Sequence, residues 1–300
     1  MLVRRQVIMP RPLPLALTQA APLPVGTPVS RFAEQIEDLL AGFPNTRLVV
    51  CPELHLFGSR VRPRERDAEL ADAAEPLDGP RVRELAALAG DLGVWLVPGS
   101  VCERGADGAL YNTALVLSPE GTLSAHYRKI FPWRPYEPYR PGDRFVVADL
   151  PGHGRIGLAI CYDAWFPEVA RHLAWMGAEV IVNPVMTTTA DREQELVLTR
   201  ANAIVNQVYV VSVNTAAPAG AGGSLVVDPE GRVRAAAAEA PTVLTDVLDL
   251  DAVATTRRYG TAGLNRMWSQ FTDADQPLNL PLYQGRIDPG RWTPAGPPTE

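Results

Sequence analysis

Cysteine and histidine are scarce in this 300-residue sequence, with three of the first and four of the second. An odd, sparse set of thiols at Cys51, Cys102 and Cys161 excludes a disulfide framework, leaves at least one thiol unpaired and fits a reducing compartment, so a cytoplasmic location is expected. No Cys-x-x-Cys pair and no clustered His/Cys set is present, so no metal site is expected. A glycine-rich phosphate loop is missing as well, and no cofactor is expected. No apolar run approaches the roughly 18–20 residues that cross a bilayer, which argues against a membrane partner. Basic residues are in deficit: 28 Lys and Arg against 34 Asp and Glu give a formal net charge of −6. Without a long Lys/Arg run, nucleic acid is not an expected partner. The short run Arg60, Arg62, Arg64 and Arg66, interleaved with Glu65 and Asp67, reads as a solvated loop. The N-terminal stretch has early arginines and apolar residues, but Pro12 and Pro14 interrupt it. A signal-peptide core needs about 7–15 uninterrupted apolar residues, so a first strand ending at Gln19 is the better reading.

What is present is an ordinary globular balance, 46% hydrophobic and 21% charged. Strand-like and helix-like segments alternate, the pattern of a layered α/β fold. Strands are expected at Leu13–Gln19, Arg47–Cys51, Val94–Cys102 with a bend at Pro98-Gly99, Arg155–Ile160, Glu179–Val182 and Val208–Asn214. Helical spacing marks Val29–Leu40, Arg81–Ala89, Pro167–Met176 with a stop at Gly177, and Glu193–Asn206. Two hairpins turn on Ser118-Pro119-Glu120-Gly121 and Asp228-Pro229-Glu230-Gly231. Beyond Leu250 the periodicity fades, and from Thr272 Pro, Gly and Asp accumulate as an irregular tail. With no central linker and no repeat, one domain over residues 1–300 is expected, with a core of about 13–250 and an extension of 251–300 packed on the body or on a partner subunit.

Three side chains stand where strands give out. Cys161 follows the strand Arg155–Ile160 and precedes a helix, the position at which open α/β sheets gather reacting groups. A helix N-terminus there is expected to lower the thiol pKa. Glu53 follows another strand in Cys51-Pro52-Glu53, and Lys129 follows the second hairpin arm in Tyr127-Arg128-Lys129. Each alone is unremarkable, and a buried structural cysteine is the commoner fate of a strand thiol. Together they supply a nucleophile, a base and a cation. The histidines His55, His126, His153 and His172 offer a competing thiol–imidazole pair that the strand-to-helix setting fits poorly. Among them, His55 is a candidate pocket residue and His172 reads as helix surface.

In these segments the chain resembles the nitrilase superfamily of carbon–nitrogen hydrolases. The resemblance rests on Cys51-Pro52-Glu53, Tyr127-Arg128-Lys129 and Cys161-Tyr162-Asp163-Ala164-Trp165-Phe166-Pro167-Glu168 in that order, with Gln19 and Asn183-Pro184 as further matches. It implies a four-layer αββα sandwich. It also implies a site in which Glu53 takes the thiol proton, Cys161 attacks a carbonyl carbon, and Lys129 with the amide of Tyr162 holds the oxyanion. Glu137, in Arg134-Pro135-Tyr136-Glu137, is the candidate for a second glutamate near the lysine, with a structural ion pair as the alternative. The expected substrate is a small amide or carbamoyl compound. Amide hydrolysis through a Cys161 thioester leads, N-carbamoyl hydrolysis comes second and nitrile hydrolysis third, because Cys-Tyr-Asp stands where nitrilases usually carry Cys-Trp-Glu. A catalytically silent scaffold of the same fold is the non-enzyme alternative. The resemblance further implies a homodimer or larger homo-oligomer.

Overall fold

The computed structural model describes residues 11–59, 63–280 and 285–286. Two β-sheets lie face to face between two helical layers, which is the αββα sandwich the resemblance implied. In the first sheet β1 (Pro12–Gln19) runs parallel to β2 (Leu48–Val50), and β2 runs parallel to β3 (Trp95–Val97). Beyond them, β4 (Ser100–Arg104), β5 (Leu110–Leu117) and β6 (Leu123–Arg128) form an antiparallel group with β5 at its centre and next to β3. The second sheet holds β7 (Val147–Leu150), β8 (Gly154–Leu158), β9 (Val180–Val185), β10 (Tyr209–Asn214), β11 (Leu225–Val227) and β12 (Val233–Ala236) in spatial order, with β8, β9 and β10 parallel. The last strand, β13 (Thr242–Asp249), returns to the first sheet and pairs with all of β1.

The two-residue period of strands decides which side chains face which layer. Leu13, Leu15 and Leu17 of β1, with Leu48 and Val50 of β2, point into the space between the sheets and meet Ile156, Leu158, Val180, Val182 and Val211 of the second sheet. The alternate residues Ala16, Val49 and Leu96 face outward. There they are covered by α1 (Val29–Gly42), through Phe32, Ile36 and Leu39, and by α3 (Pro80–Leu92), through Val82, Leu85 and Ala89. On the far side Ile181, Val208 and Val210 are covered by α4 (Pro167–Trp175), through Val169, Ala170 and Leu173. Next to it, α5 (Arg192–Asn206) buries a mostly polar face: Arg192, Glu195, Thr199, Asn202 and Asn206.

Several expectations need correction. The arginine run is not all loop, because α2 (Pro63–Asp72) begins inside it; Arg60, Val61 and Arg62 lie outside the described residues. The single strand expected over Val94–Cys102 is two, β3 and β4, since Pro98 offers no amide donor and Gly99 takes φ +88. Just past Leu250 stands a helix that the periodicity did not mark, α6 (Asp251–Tyr259), and from Thr272 the described residues to Leu280 form neither helix nor strand. Arg11 holds that end of the chain to the body, donating to Asp251 at 2.8 Å and to Glu179 at 2.7 Å. The first ten residues and most of the tail after Leu280 lie outside the described residues, and with them part of the first-strand question and of the extension.

Candidate active site

Cys161 sits at a sharp turn just past β8. It opens a 3-10 turn, Cys161–Trp165, and has φ +47, a left-handed conformation that costs a non-glycine residue energy and persists only where neighbours hold it. Asp163 does the holding. Its fully buried carboxylate accepts the Ile160 amide at 2.9 Å, the Phe131 amide at 2.9 Å and the Tyr127 hydroxyl at 2.8 Å. Three donors from two segments, Ile160 on one side and Tyr127 with Phe131 on the other, thus fix the cysteine turn to the stretch around Lys129. The first hydrogen bond inside the turn runs from the Asp163 amide to the Ile160 carbonyl at 3.0 Å, so the Tyr162 amide precedes the turn's first internal donor.

Lys129 follows β6 directly and is buried to 1% exposure, too deep for a cation without partners. Its ammonium donates to Glu53 Oε1 at 3.0 Å and to Glu137 Oε1 at 2.8 Å. Glu53, also buried, is held in turn by Asn112 Nδ2, which donates to the same Oε1 at 2.7 Å, so Oε2 is spent on neither donor. The backbone around Glu53 spans both sheets: its amide donates to the Val185 carbonyl at 3.3 Å, and the Leu54 amide donates to Ser100 Oγ at 3.0 Å. Glu137 accepts the Trp133 amide at 3.1 Å through its other oxygen, which closes a tight loop over Lys129.

The electrostatics are those of a dry, mutually dependent cluster. Burial pulls the Lys129 ammonium down, but Glu53, the Cys161 sulfur and Glu137 outweigh it and hold the pKa above the ordinary lysine value. Burial raises the Glu137 carboxyl, against the pull of Lys129. Burial and the Glu53 charge push the Cys161 thiol well above its ordinary value, and Lys129 only partly offsets them. The expectation of a thiol activated by a helix N-terminus is therefore corrected. Desolvation and a neighbouring carboxylate act on this thiol in the direction opposite to the lowering expected of a helix N-terminus.

The structure thus gathers Glu53, Lys129, Glu137 and Cys161 into one electrostatic cluster, with the Tyr162 amide beside the sulfur's own turn. It brings in none of the histidines as a base. His55 is turned against α1, edge-on to Phe32 and 3.5 Å from Gln35, and burial lowers its pKa to about 4. His172 is exposed on α4 and stacks on Phe145. Cys51 and Cys102 are fully buried, their thiols raised to about 12 by desolvation. The sequence reading overlooked four residues. Asn112 and the clamp role of Asp163 carry no local signature. Thr187, whose hydroxyl lies 3.8 Å from the Cys161 sulfur, and Glu195, which accepts that hydroxyl, come from a loop and a helix with no link to the thiol in sequence.

The carbon-nitrogen hydrolase family model matches residues 15–258. The chain belongs to the carbon–nitrogen hydrolase family. Formamidases from Bacillus thuringiensis and Bacillus anthracis are each 34% identical to it over 190 residues, 63% of this chain and 56% of their own length. The chain therefore matches little more than half of those curated relatives. Among solved carbon–nitrogen hydrolase structures, Saccharomyces cerevisiae Nit3, a member of branch 10 of the nitrilase superfamily, superposes with a TM-score of 0.73 at 28% identity, covering 82% of this chain and 93% of that one. A cysteine-to-alanine variant of the amidase from Nesterenkonia sp. AN1, in complex with butyramide, gives 0.69 at 26% identity, covering 82% and 94%. A glutamate-to-glutamine variant of that amidase carries the acetamide moiety of fluoroacetamide covalently on its active-site cysteine, with a TM-score of 0.68 at 26% identity and coverage of 82% and 94%.

Proposed function

We propose that this carbon–nitrogen hydrolase cleaves small amides through a thioester on Cys161. The observation that carries the reading is the fully buried Lys129 ammonium, clasped by Glu53 and Glu137 beside a cysteine held at positive φ. Glu53 takes the Cys161 proton as the sulfur attacks the carbonyl carbon, and the carbonyl oxygen gathers negative charge toward Lys129 and the Tyr162 amide. The carbon–nitrogen bond breaks, and the nitrogen leaves with the proton from Glu53 as ammonia or an amine. Water then gives a proton to Glu53 and attacks the thioester, which restores the thiol and releases a carboxylic acid. Glu137 keeps Lys129 aimed at the oxyanion position rather than at Glu53 alone. The formamidases and the amidase bound to butyramide support a short aliphatic amide as substrate.

One domain over the whole chain, and a homodimer or larger homo-oligomer, belong to the same reading. The outward face of α5 supports the assembly: it presents Val197 at 66% exposure with Ile204 and Val205, next to Trp175 and Met176 at the end of α4. All three cysteines are unpaired thiols, which fits a cytoplasmic location. The test is a panel of short aliphatic amides, omega-amides, N-carbamoyl amines and nitriles, read as ammonia release, with intact mass measured during turnover. Ammonia from the short amides and an acyl mass on Cys161 are expected, both lost in Cys161→Ala. No ammonia and no adduct across the panel would mean a silent scaffold.

A further inference from the structure

The Cys161 sulfur has a second set of polar neighbours, and the reaction above makes no use of it. Thr187 lies two residues past β9, and its Oγ1 approaches the sulfur at 3.8 Å. The same hydroxyl lies 2.8 and 2.9 Å from the two carboxylate oxygens of Glu195 on α5. Glu195 is buried, and among the described residues it forms an ion pair with the equally buried Arg192, whose Nη1 donates to it at 2.8 Å. Arg192 is itself fixed by the Gly222 carbonyl at 3.1 Å, the Gly223 carbonyl at 2.9 Å and Ser212 Oγ at 3.1 Å. Thr187 is pinned through its backbone by Asn214, which accepts the Thr187 amide and donates to the Thr187 carbonyl.

Hydrogen-bond polarity follows from these contacts. A carboxylate only accepts, so the single proton of the Thr187 hydroxyl points to Glu195, and the sulfur meets the oxygen's lone pairs. A thiol can donate to that oxygen; a thiolate can only oppose it. Resting on the reading of Cys161 as the nucleophile, we infer that Thr187 and Glu195 orient the hydrogen bond at the sulfur so that Cys161 waits as a thiol and becomes nucleophilic only when Glu53 removes its proton. Glu195 is then a positioning residue acting through Thr187, and the proton of Thr187 stays where it is throughout. The charged groups that face the sulfur are Glu53 beyond β2, Lys129 beyond β6 with Glu137 behind it, and Glu195 with Arg192 from α5; Asp163 lies on the sulfur's own turn and points away, to its three donors. The consequence is a cysteine that resists adventitious alkylation and oxidation between turnovers, because the reactive form is not stored.

The test reads the thiol directly and does not need turnover. The pH dependence of Cys161 alkylation by iodoacetamide is followed by intact mass on the full chain, with Cys161→Ala as the blank. In Glu195→Gln the amide group donates to Thr187 and releases its hydroxyl proton toward the sulfur. The alkylation midpoint is expected to fall by about one pH unit or more, roughly a tenfold faster reaction at any pH below the midpoint. The shift should persist when Glu195→Gln is combined with Thr187→Ser and shrink to a small remainder when combined with Thr187→Val. An unmoved midpoint, or an equal shift in the Thr187→Val background, overturns the inference, the second because charge acting through space would suffice. Should Glu195→Gln fail to fold, Glu195→Asp keeps the ion pair while drawing the carboxylate back from Thr187. It is expected to lower the midpoint too, and an unmoved midpoint in the folded variant overturns the inference. Failure of the amide panel with this behaviour intact would sink the proposed reaction and leave the orientation of the sulfur standing.

Discussion

At the scale of single residues the site is defined by buried charges that need one another. Lys129 has no water to lean on, so Glu53 and Glu137 carry its charge, and Asn112 steadies Glu53. Replacing Lys129 with Met should lower kcat/KM by about 10²–10³-fold through loss of an oxyanion donor. Glu53→Gln should cost about 10²–10⁴-fold through loss of the base. Lys129→Met also strands two buried carboxylates and should lower stability, so each variant is compared at a temperature where circular dichroism shows it folded; activity within a few-fold of the parent in either folded variant would remove that residue from the chemistry. Asp163 gives a pH dependence. Burial raises its carboxyl from 3.8 to about 6, against Lys129 and its hydrogen-bond donors. As pH falls through about 6 the carboxylate protonates, one oxygen loses its full acceptor strength, and the cysteine turn loosens. Activity should decline on that limb, and the limb should vanish, at lowered activity, in Asp163→Asn. Because the folded state binds this proton more tightly than the unfolded chain does, the group's contribution to stability is fully present below about pH 4 and is lost as pH rises through about 6. The thermal midpoint should therefore not follow activity downward on this group's account, and a parallel fall of both would point to other carboxylates.

At the scale of elements, the strand ends were largely readable and their neighbours were not. Period-two and period-3.6 patterning marks β1, α1, α3 and α4, because each buries one clear apolar face, and both hairpins are legible in their Pro-Glu-Gly turns. It misses β13, an edge strand exposed on one side, and α2, whose sequence is rich in charge and short of apolar residues at helical spacing. The break between β3 and β4 has a mechanical purpose. Gly99 lies against the Pro52 carbonyl so closely that an added Cβ would fall 1.7 Å from that oxygen, and its φ of +88 is itself unfavourable for other residues. Gly99→Ala must therefore push away the segment that carries Glu53. A loss of stability of about 1–3 kcal/mol together with a fall in kcat is expected from denaturant unfolding and steady-state kinetics. An active variant of parental stability would show that the Pro52–Glu53 segment tolerates displacement.

At the scale of the molecule, the sandwich brings together side chains that lie over a hundred residues apart, and it leaves one surface unexplained by its own packing. α5 buries Arg192, Glu195, Thr199, Asn202 and Asn206 with Ala203, and on its outside Val197, Ile204 and Val205 stand exposed among Glu193, Gln194 and Arg200. A polar inner face suits a helix that holds Glu195 against Thr187; the exposed aliphatics on its outside suit a second copy. Light scattering should give at least a dimer at micromolar concentration, and Val197→Glu should shift it toward monomer. A parent chain that is monomeric under those conditions would refute the assembly.

The sequence alone determined the alternation of strands and helices and the chemical types at the strand ends, because burial periodicity and a Glu, a Lys and a Cys in three short motifs are local properties of the chain, while the four-layer order came from the resemblance those motifs carry. It also carried Glu137, eight residues from the lysine it holds. Only the tertiary structure decided in which direction the thiol is pushed, since desolvation and the field of a carboxylate 108 positions away act on it there. The same holds for Asn112, Thr187, Glu195 and the three-donor clamp at Asp163: what each does depends on which group packing sets opposite it, and no spacing along the chain encodes that.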